Sequence, residues 1–248
     1  GAPAPRGEVA MEDVSFSYGD NAWAVRDVNV SIAPGQSVAL VGASGAGKTT
    51  VAALLAGLRV PSAGNVKVDG VEVTWLSDAE RVTRLAMVSQ EVHVFSGTLR
   101  DDLSLGKPDA SDEEIWQALR AVQAHWVEDL ADGLDTVVGA WGIQLDPVAA
   151  QQLALARIML LDPAIVVLDE ATAEAGSRGA GALDAAADAV TKGRTSLMVA
   201  HRLDQAAKAD CVLVMEDGRV IEQGTHAQLL DSKGRYQQLW NAWQKGRD

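Results

Sequence analysis

The chain has 248 residues, 48% of them hydrophobic, which is enough to bury a large core in one domain with a subdomain inserted. A formal charge of −13 and an isoelectric point near 4.7 argue against a nucleic-acid partner, because binding to a phosphate backbone rests on a basic surface. The single cysteine, Cys211 in the apolar run CVLVM, leaves no disulfide framework and reads as a core thiol in a cytosolic setting.

In chain order, GAPAPRGE is small, Pro-rich and aperiodic, so residues 1–7 are expected to be a linker or a cut upstream of a folded unit. No run approaches the roughly 18 to 20 apolar residues needed to span a bilayer, and no signal peptide opens the chain. The piece itself is therefore expected to be soluble. VAMEDVSFSY, AVRDVNVSI and SVALVG read as strands, and NVKV and VEV read as a hairpin turning at Asp69-Gly70. After Gly42 the spacing of TTVAALLAGL predicts a helix that ends at Pro61. Residues 98–160 read as mostly helical, with Ser111 and Glu114 forming a capping box ahead of Ile115, Leu119 and Val122. AIVVL, TSLMVA and CVLVM then alternate with Ala-rich helical stretches, the pattern of a parallel sheet covered on both faces. A hairpin turns at Asp217-Gly218 in MEDGRVIEQ, and YQQLWNAW suits a helix whose aromatics pack rather than recognise.

Two motifs carry chemistry. Gly42-Ala43-Ser44-Gly45-Ala46-Gly47-Lys48-Thr49, followed by Thr50, is G-x-x-x-x-G-K-[ST] between a strand and a helix. Glycines let such a loop wrap a phosphate with its N–H groups, and the helix N-terminus adds its positive end. Lys48 is expected to reach the β- and γ-phosphates of ATP, and Thr49 to ligate Mg²⁺. Ile165-Val166-Val167-Leu168-Asp169-Glu170 reads as a buried strand delivering two carboxylates at its end. Asp169 is expected to hold Mg²⁺ through water, and Glu170 to polarise the attacking water as general base.

Together the phosphate loop, LDEAT, LALAR at Leu153 to Arg157 and AHR at Ala200 to Arg202 resemble the nucleotide-binding domain of ABC transporters over nearly the whole chain. The resemblance implies an α/β fold: a P-loop NTPase (RecA-like) core with an N-terminal antiparallel β subdomain and an inserted α-helical subdomain. Its expected boundaries are 8–97 and 161–232 for the β subdomain and core, 98–160 for the helical subdomain, and 233–248 for a C-terminal helix or tail. Tyr18 of FSYGD looks like the aromatic that stacks on adenine, Gln90 of VSQE like the glutamine that senses Mg²⁺ and the attacking water, and His201 like the histidine that contacts the γ-phosphate. His93, His125 and His226 have no such context and no metal-ligand spacing. QEVHVFSGTLRDDLSLG is similar to exporters specifically, where this segment faces the membrane domain.

Members of this family work as head-to-tail dimers in which one chain's signature sequence, LSGGQ, meets the other chain's ATP. Aligned back from LALAR, that position holds Leu145-Asp146-Pro147-Val148-Ala149. Asp146 brings a negative charge, Pro147 lacks an N–H and Val148 adds bulk, although Asp followed by Pro still starts a helix well. Ala140 stands where VGE-x-G has Glu, and Ala173-Glu174-Ala175-Gly176 replaces the family's SALD, so Gly176 lacks the carboxylate of that loop. The resemblance thus implies an ATPase motor for an exporter, paired with a non-identical second nucleotide-binding domain and with a transmembrane domain, fused upstream or separate, at the cytoplasmic face of the plasma (inner) membrane. Weak or absent activity is expected of the chain alone. The alternative is an ATP-gated dimerisation or regulatory module with little turnover.

Overall fold

A computed structural model describes residues 4–19, 22–89, 94–169 and 177–247. The β-branched runs form β1 (Val9–Ser17), β2 (Trp23–Ile32) and β3 (Ser37–Val41), followed by α1 (Lys48–Leu55), β4 (Ala63–Val68) and β5 (Val71–Glu72). Next come α2 (Asp78–Arg84), β6 (Leu85–Val88), β7 (Gly97–Thr98), α3 (Leu99–Leu103), α4 (Asp112–Ala121), β8 (Val137–Val138) and α5 (Pro147–Leu161). The chain continues through β9 (Ile165–Asp169), α6 (Ser177–Thr191), β10 (Thr195–Val199), α7 (Leu203–Ala207), β11 (Cys211–Glu216), β12 (Arg219–Gly224), α8 (His226–Asp231) and α9 (Arg235–Lys245). No described helix is long and apolar enough to cross a membrane.

The chain divides into two compact units, Gly1–Met87 with Ala164–Glu170 and Gly193–Asp248, and Val88–Pro163 with Ala171–Lys192. The first holds an antiparallel sheet in the order β2-β1-β4-β5 and most of a six-stranded sheet in the order β12-β11-β3-β10-β9-β6. In the latter, β11, β3, β10 and β9 run parallel, and the hairpin strand β12 is antiparallel to β11. These parallel strands are apolar without alternation because both faces are covered. Val38, Leu40, Val167, Leu197 and Leu213 join the core shared with α1 and the antiparallel sheet. Ala39, Val41, Val212 and Val214 point the other way, toward Ala206, Leu229 and Tyr236. Cys211, expected in the core, begins β11 and is only half-buried, though burial still raises its thiol above the ordinary range.

Residues 6–8 are pinned. The backbone N–H groups of Arg6, Gly7 and Glu8 all donate to Asp69 Oδ1, at 3.1, 2.9 and 3.0 Å. Asp69 Oδ2 accepts from Arg84 Nη1 at 2.9 Å, with both side chains buried. Thr195 Oγ1 donates to the Gly7 carbonyl at 2.6 Å and accepts the Gly35 N–H at 2.9 Å. Asp69 therefore serves two ends, as the turn residue of the β4–β5 hairpin (φ 52°) and as an acceptor for the incoming backbone.

The second unit is mostly helical, as its pattern predicts. The Ser111–Glu114 box caps α4, and Ile115, Leu119 and Val122 are buried. It also contains a short antiparallel pair, β7 with β8, which the helical reading of 98–160 did not foresee because each strand is two residues long. The buried Asp102 carboxylate accepts from Arg157 Nη1 at 2.9 Å and from the Phe95 N–H at 3.3 Å. Burial pushes Asp102 above the usual carboxylate range, and Arg157 opposes that rise.

At the C-terminus, α9 is a packed helix rather than a tail. Tyr236 is fully buried, its hydroxyl lies 2.6 Å from His226 Nδ1, and burial pushes the phenol up to about 12.

Candidate functional site

Three adjacent parallel strands deliver the site. The order β3-β10-β9 brings the loop after β3, His201 just beyond β10 and Asp169 at the end of β9 to the same C-terminal edge, where open α/β sheets bind ligands. The loop from Gly42 turns into α1 through Gly47, whose φ of 102° is unfavourable for any residue with a Cβ. A Cβ there would lie 2.8 Å from the Ala24 carbonyl oxygen, so the loop is also pressed against β2. Gly45 has open space beside it.

Lys48 Nζ folds back to donate to the Gly42 carbonyl at 2.6 Å, closing the loop on itself. Two influences act on this ammonium. Burial lowers its proton affinity, and the Asp169 carboxylate raises it, with burial the larger, so Lys48 falls below the ordinary lysine range. Asp169, 2% exposed, has Oδ1 3.3 Å from His201 Nε2, a contact that needs the proton on that nitrogen. At the head of α1, Thr49 is exposed, and Tyr18 Oη lies 3.2 Å from Thr50 Oγ1. The structure thus brings together Tyr18, the 42–50 loop, Asp169 and His201, all within the first unit. Gln90, Glu170 and Ala173–Gly176 lie outside the described residues.

The family model described as ABC transporter matches residues 25–173. The chain belongs to the ABC transporter family. An ABC transporter ATP-binding protein of Bacillus subtilis is 40% identical over 95% of this chain and 39% of its own length. An ATP-dependent lipid A-core flippase of Chromobacterium violaceum is 40% identical over 96% of this chain and 41% of its own. Among solved structures, that of a bacterial Atm1-family ABC exporter with ATP bound matches 97% of this chain and 42% of its own at 32% identity, with a TM-score of 0.87. This ABC chain spans about two fifths of the length of the relatives it matches. The expected resemblance to exporter-type nucleotide-binding domains and the expected P-loop α/β fold are both borne out.

Sequence reasoning missed the outer support of the ABC phosphate loop. The turn of the β11–β12 hairpin closes over it, since Gly218 N–H donates to the Ala46 carbonyl at 3.0 Å while its own carbonyl accepts the Arg26 N–H at 2.8 Å. The Asp217-Gly218 signal located the hairpin, but nothing in it reports a contact far back in the chain.

In the second unit, at Leu145–Ala149, Asp146 is the N-cap of α5 and Pro147 its first residue. Asp146 Oδ1 accepts the Ala149 N–H at 2.8 Å, so the carboxylate itself occupies one of the donors at this helix N-terminus.

Proposed function

We propose that this chain is an ATP-binding and hydrolysing motor that couples nucleotide-driven dimerisation to export through a membrane-spanning domain at the cytoplasmic face of the membrane. The observation that carries the reading is Lys48, folded onto its own glycine loop beside the Asp169–His201 pair at one edge of the parallel sheet. Backbone N–H groups of the loop and of the first turn of α1 would cradle the phosphates of ATP, and Lys48 would exchange the Gly42 carbonyl for a phosphate oxygen. Thr49 and Asp169 offer the oxygen-only donors that suit Mg²⁺, with Gln90 proposed alongside. Bound there, Mg²⁺ would neutralise phosphate charge. Glu170 would take the proton of the attacking water, and His201 would turn its Nε2–H from the Asp169 carboxylate to the terminal phosphate.

We further propose that the partner is not a second copy. Opposite a partner's phosphate, Asp146 would set a like charge on the helix N-terminus, worth roughly 4 kcal/mol of repulsion at about 4 Å and an effective dielectric near 20. Val148 and the proline amide remove the close backbone approach that glycines give. The same capped N-terminus also favours a second reading, an ATP-gated dimerisation module with little turnover.

The test is ATP binding and turnover by the 248-residue chain, alone and with a candidate partner. Expected are Mg²⁺-dependent ATP binding lost in Lys48→Ala, little turnover alone, and turnover with the partner that Glu170→Gln abolishes. Undiminished binding by Lys48→Ala would overturn the site. Fast turnover by the chain alone would overturn the unequal pair, and partner-stimulated turnover indifferent to Glu170→Gln would favour the module.

A further inference from the structure

Tyr18 is held from three directions. Its hydroxyl reaches Thr50 Oγ1 at 3.2 Å in the first turn of α1. Its ring meets Phe16 at right angles, with centroids 4.8 Å apart. The third contact is Arg59, whose guanidinium carbon lies 5.4 Å from the ring centroid. Despite these anchors Tyr18 is 63% exposed, so it is not filling a core. An aromatic fixed in place yet open to solvent beside a phosphate loop is a surface for a planar ligand.

Arg59 has an unusual use. In a chain with 34 acidic residues, it has no carboxylate partner among the described residues, and its guanidinium lies over the Tyr18 ring instead. It follows the α1 C-terminus, where the chain turns back through Gly57, so the helix that starts at the phosphate loop also carries, just past its end, the cation that holds Tyr18. A guanidinium over an aromatic face is attracted to the ring's quadrupole, and its planar shape lets it stack as well. Losing that cation frees the ring to rotate away from one productive orientation and removes a charge that strengthens stacking through the ring.

Resting on the reading of this site as an ATP site, we propose that Arg59 is a positioning residue for the nucleotide base: it clamps Tyr18 in the orientation that stacks on adenine. Arg59 touches the tyrosine rather than the phosphates, so its contribution belongs to the base alone. Stacking reads the face of a purine and not its edge, so ATP and GTP share the benefit.

The experiment measures equilibrium binding of Mg²⁺-ATP, Mg²⁺-GTP and inorganic tripolyphosphate to the 248-residue chain and to Tyr18→Ala, Arg59→Ala and Arg59→Lys. Expected for Arg59→Ala is a loss of about two- to fivefold for both nucleotides, the scale of an exposed cation–π contact, with tripolyphosphate unchanged. Tyr18→Ala loses at least as much, and Arg59→Lys keeps part of the affinity because it keeps the cation. Unchanged or tighter nucleotide binding by Arg59→Ala, while Tyr18→Ala weakens it, overturns the role of Arg59 and leaves the nucleotide site standing. Equal losses for tripolyphosphate and ATP also overturn it, because they make Arg59 a phosphate contact. Undiminished ATP binding by Tyr18→Ala overturns the base platform itself, and with it this inference. Far-ultraviolet circular dichroism of each variant excludes unfolding, and Arg59→Lys provides the measurement if the alanine variant unfolds.

Discussion

Lys48 shows how burial and a nearby carboxylate divide the control of one proton. Burial wins, so the ammonium releases its proton below the ordinary lysine range even though Asp169 favours the charged form. A bound triphosphate adds negative charge to that ammonium and raises its affinity for the proton. ATP binding at alkaline pH should therefore take up protons, and affinity should fall as pH rises through the range where free Lys48 is neutral. Calorimetry in two buffers of different ionisation enthalpy checks this: proton uptake is expected in the wild type and absent in Lys48→Arg, whose guanidinium stays protonated throughout, and a buffer-independent enthalpy in the wild type would contradict it. Lys48, Asp169 and His201 were legible as residues because each sits in a short local motif whose chemistry is fixed by type and spacing. The Asp69–Arg84 pair and its three backbone donors were not. Asp69 announced a turn, and that one signal hid a second task that depends on a segment far away in sequence.

At the scale of elements, local chemistry set the ends of α1 where the pattern misread them. The apolar spacing ran on toward Pro61, yet the helix stops at Leu55. Gly57, at φ 76°, turns the chain: Gly57 N–H donates to the Leu54 carbonyl at 3.2 Å and Leu58 N–H to the Ala53 carbonyl at 2.9 Å, the paired bonds of a left-handed helix cap. Pro61 lies beyond a stop already made. Gly57→Ala should cost about 1 kcal/mol, since the new Cβ forces a left-handed conformation and would approach Arg81 Cδ at 3.1 Å. Thermal denaturation should show a fall of roughly 2–4 °C for a domain of this size, and no change would mean the cap contributes nothing. The capping box at Ser111 and the Asp-Gly hairpins were legible for the converse reason, since their residues both start and complete the element. The β7–β8 pair lay beyond reach because it joins dipeptides far apart in sequence.

For the whole molecule, the open question is which surface it pairs with. A chain at −13 repels its own copy, and each ATP bound between two copies adds more negative charge. Like-charge repulsion alone is screened at about 8 Å in physiological salt and does not forbid close contacts, so it slows self-association rather than preventing it. The decisive term is local. At α5 the Asp146 carboxylate already takes the Ala149 N–H that an incoming phosphate would need, and Pro147 offers no amide. On the proposed reading, a head-to-tail homodimer pairs each phosphate loop with a signature position unfit for phosphate, and ATP gains nothing from closing it. Sedimentation of Glu170→Gln with Mg²⁺-ATP at physiological salt should show a monomer. Adding Asp146→Ser, Pro147→Gly and Val148→Gly to the same background should give an ATP-dependent dimer, because those changes return a hydroxyl cap and two close-approach amides to the helix N-terminus. If Glu170→Gln already dimerises with ATP as it stands, the carboxylate at Asp146 is no obstacle and the case for an unequal pair collapses. If the repaired chain stays monomeric while still binding ATP, the obstacle to self-pairing lies outside residues 145–149.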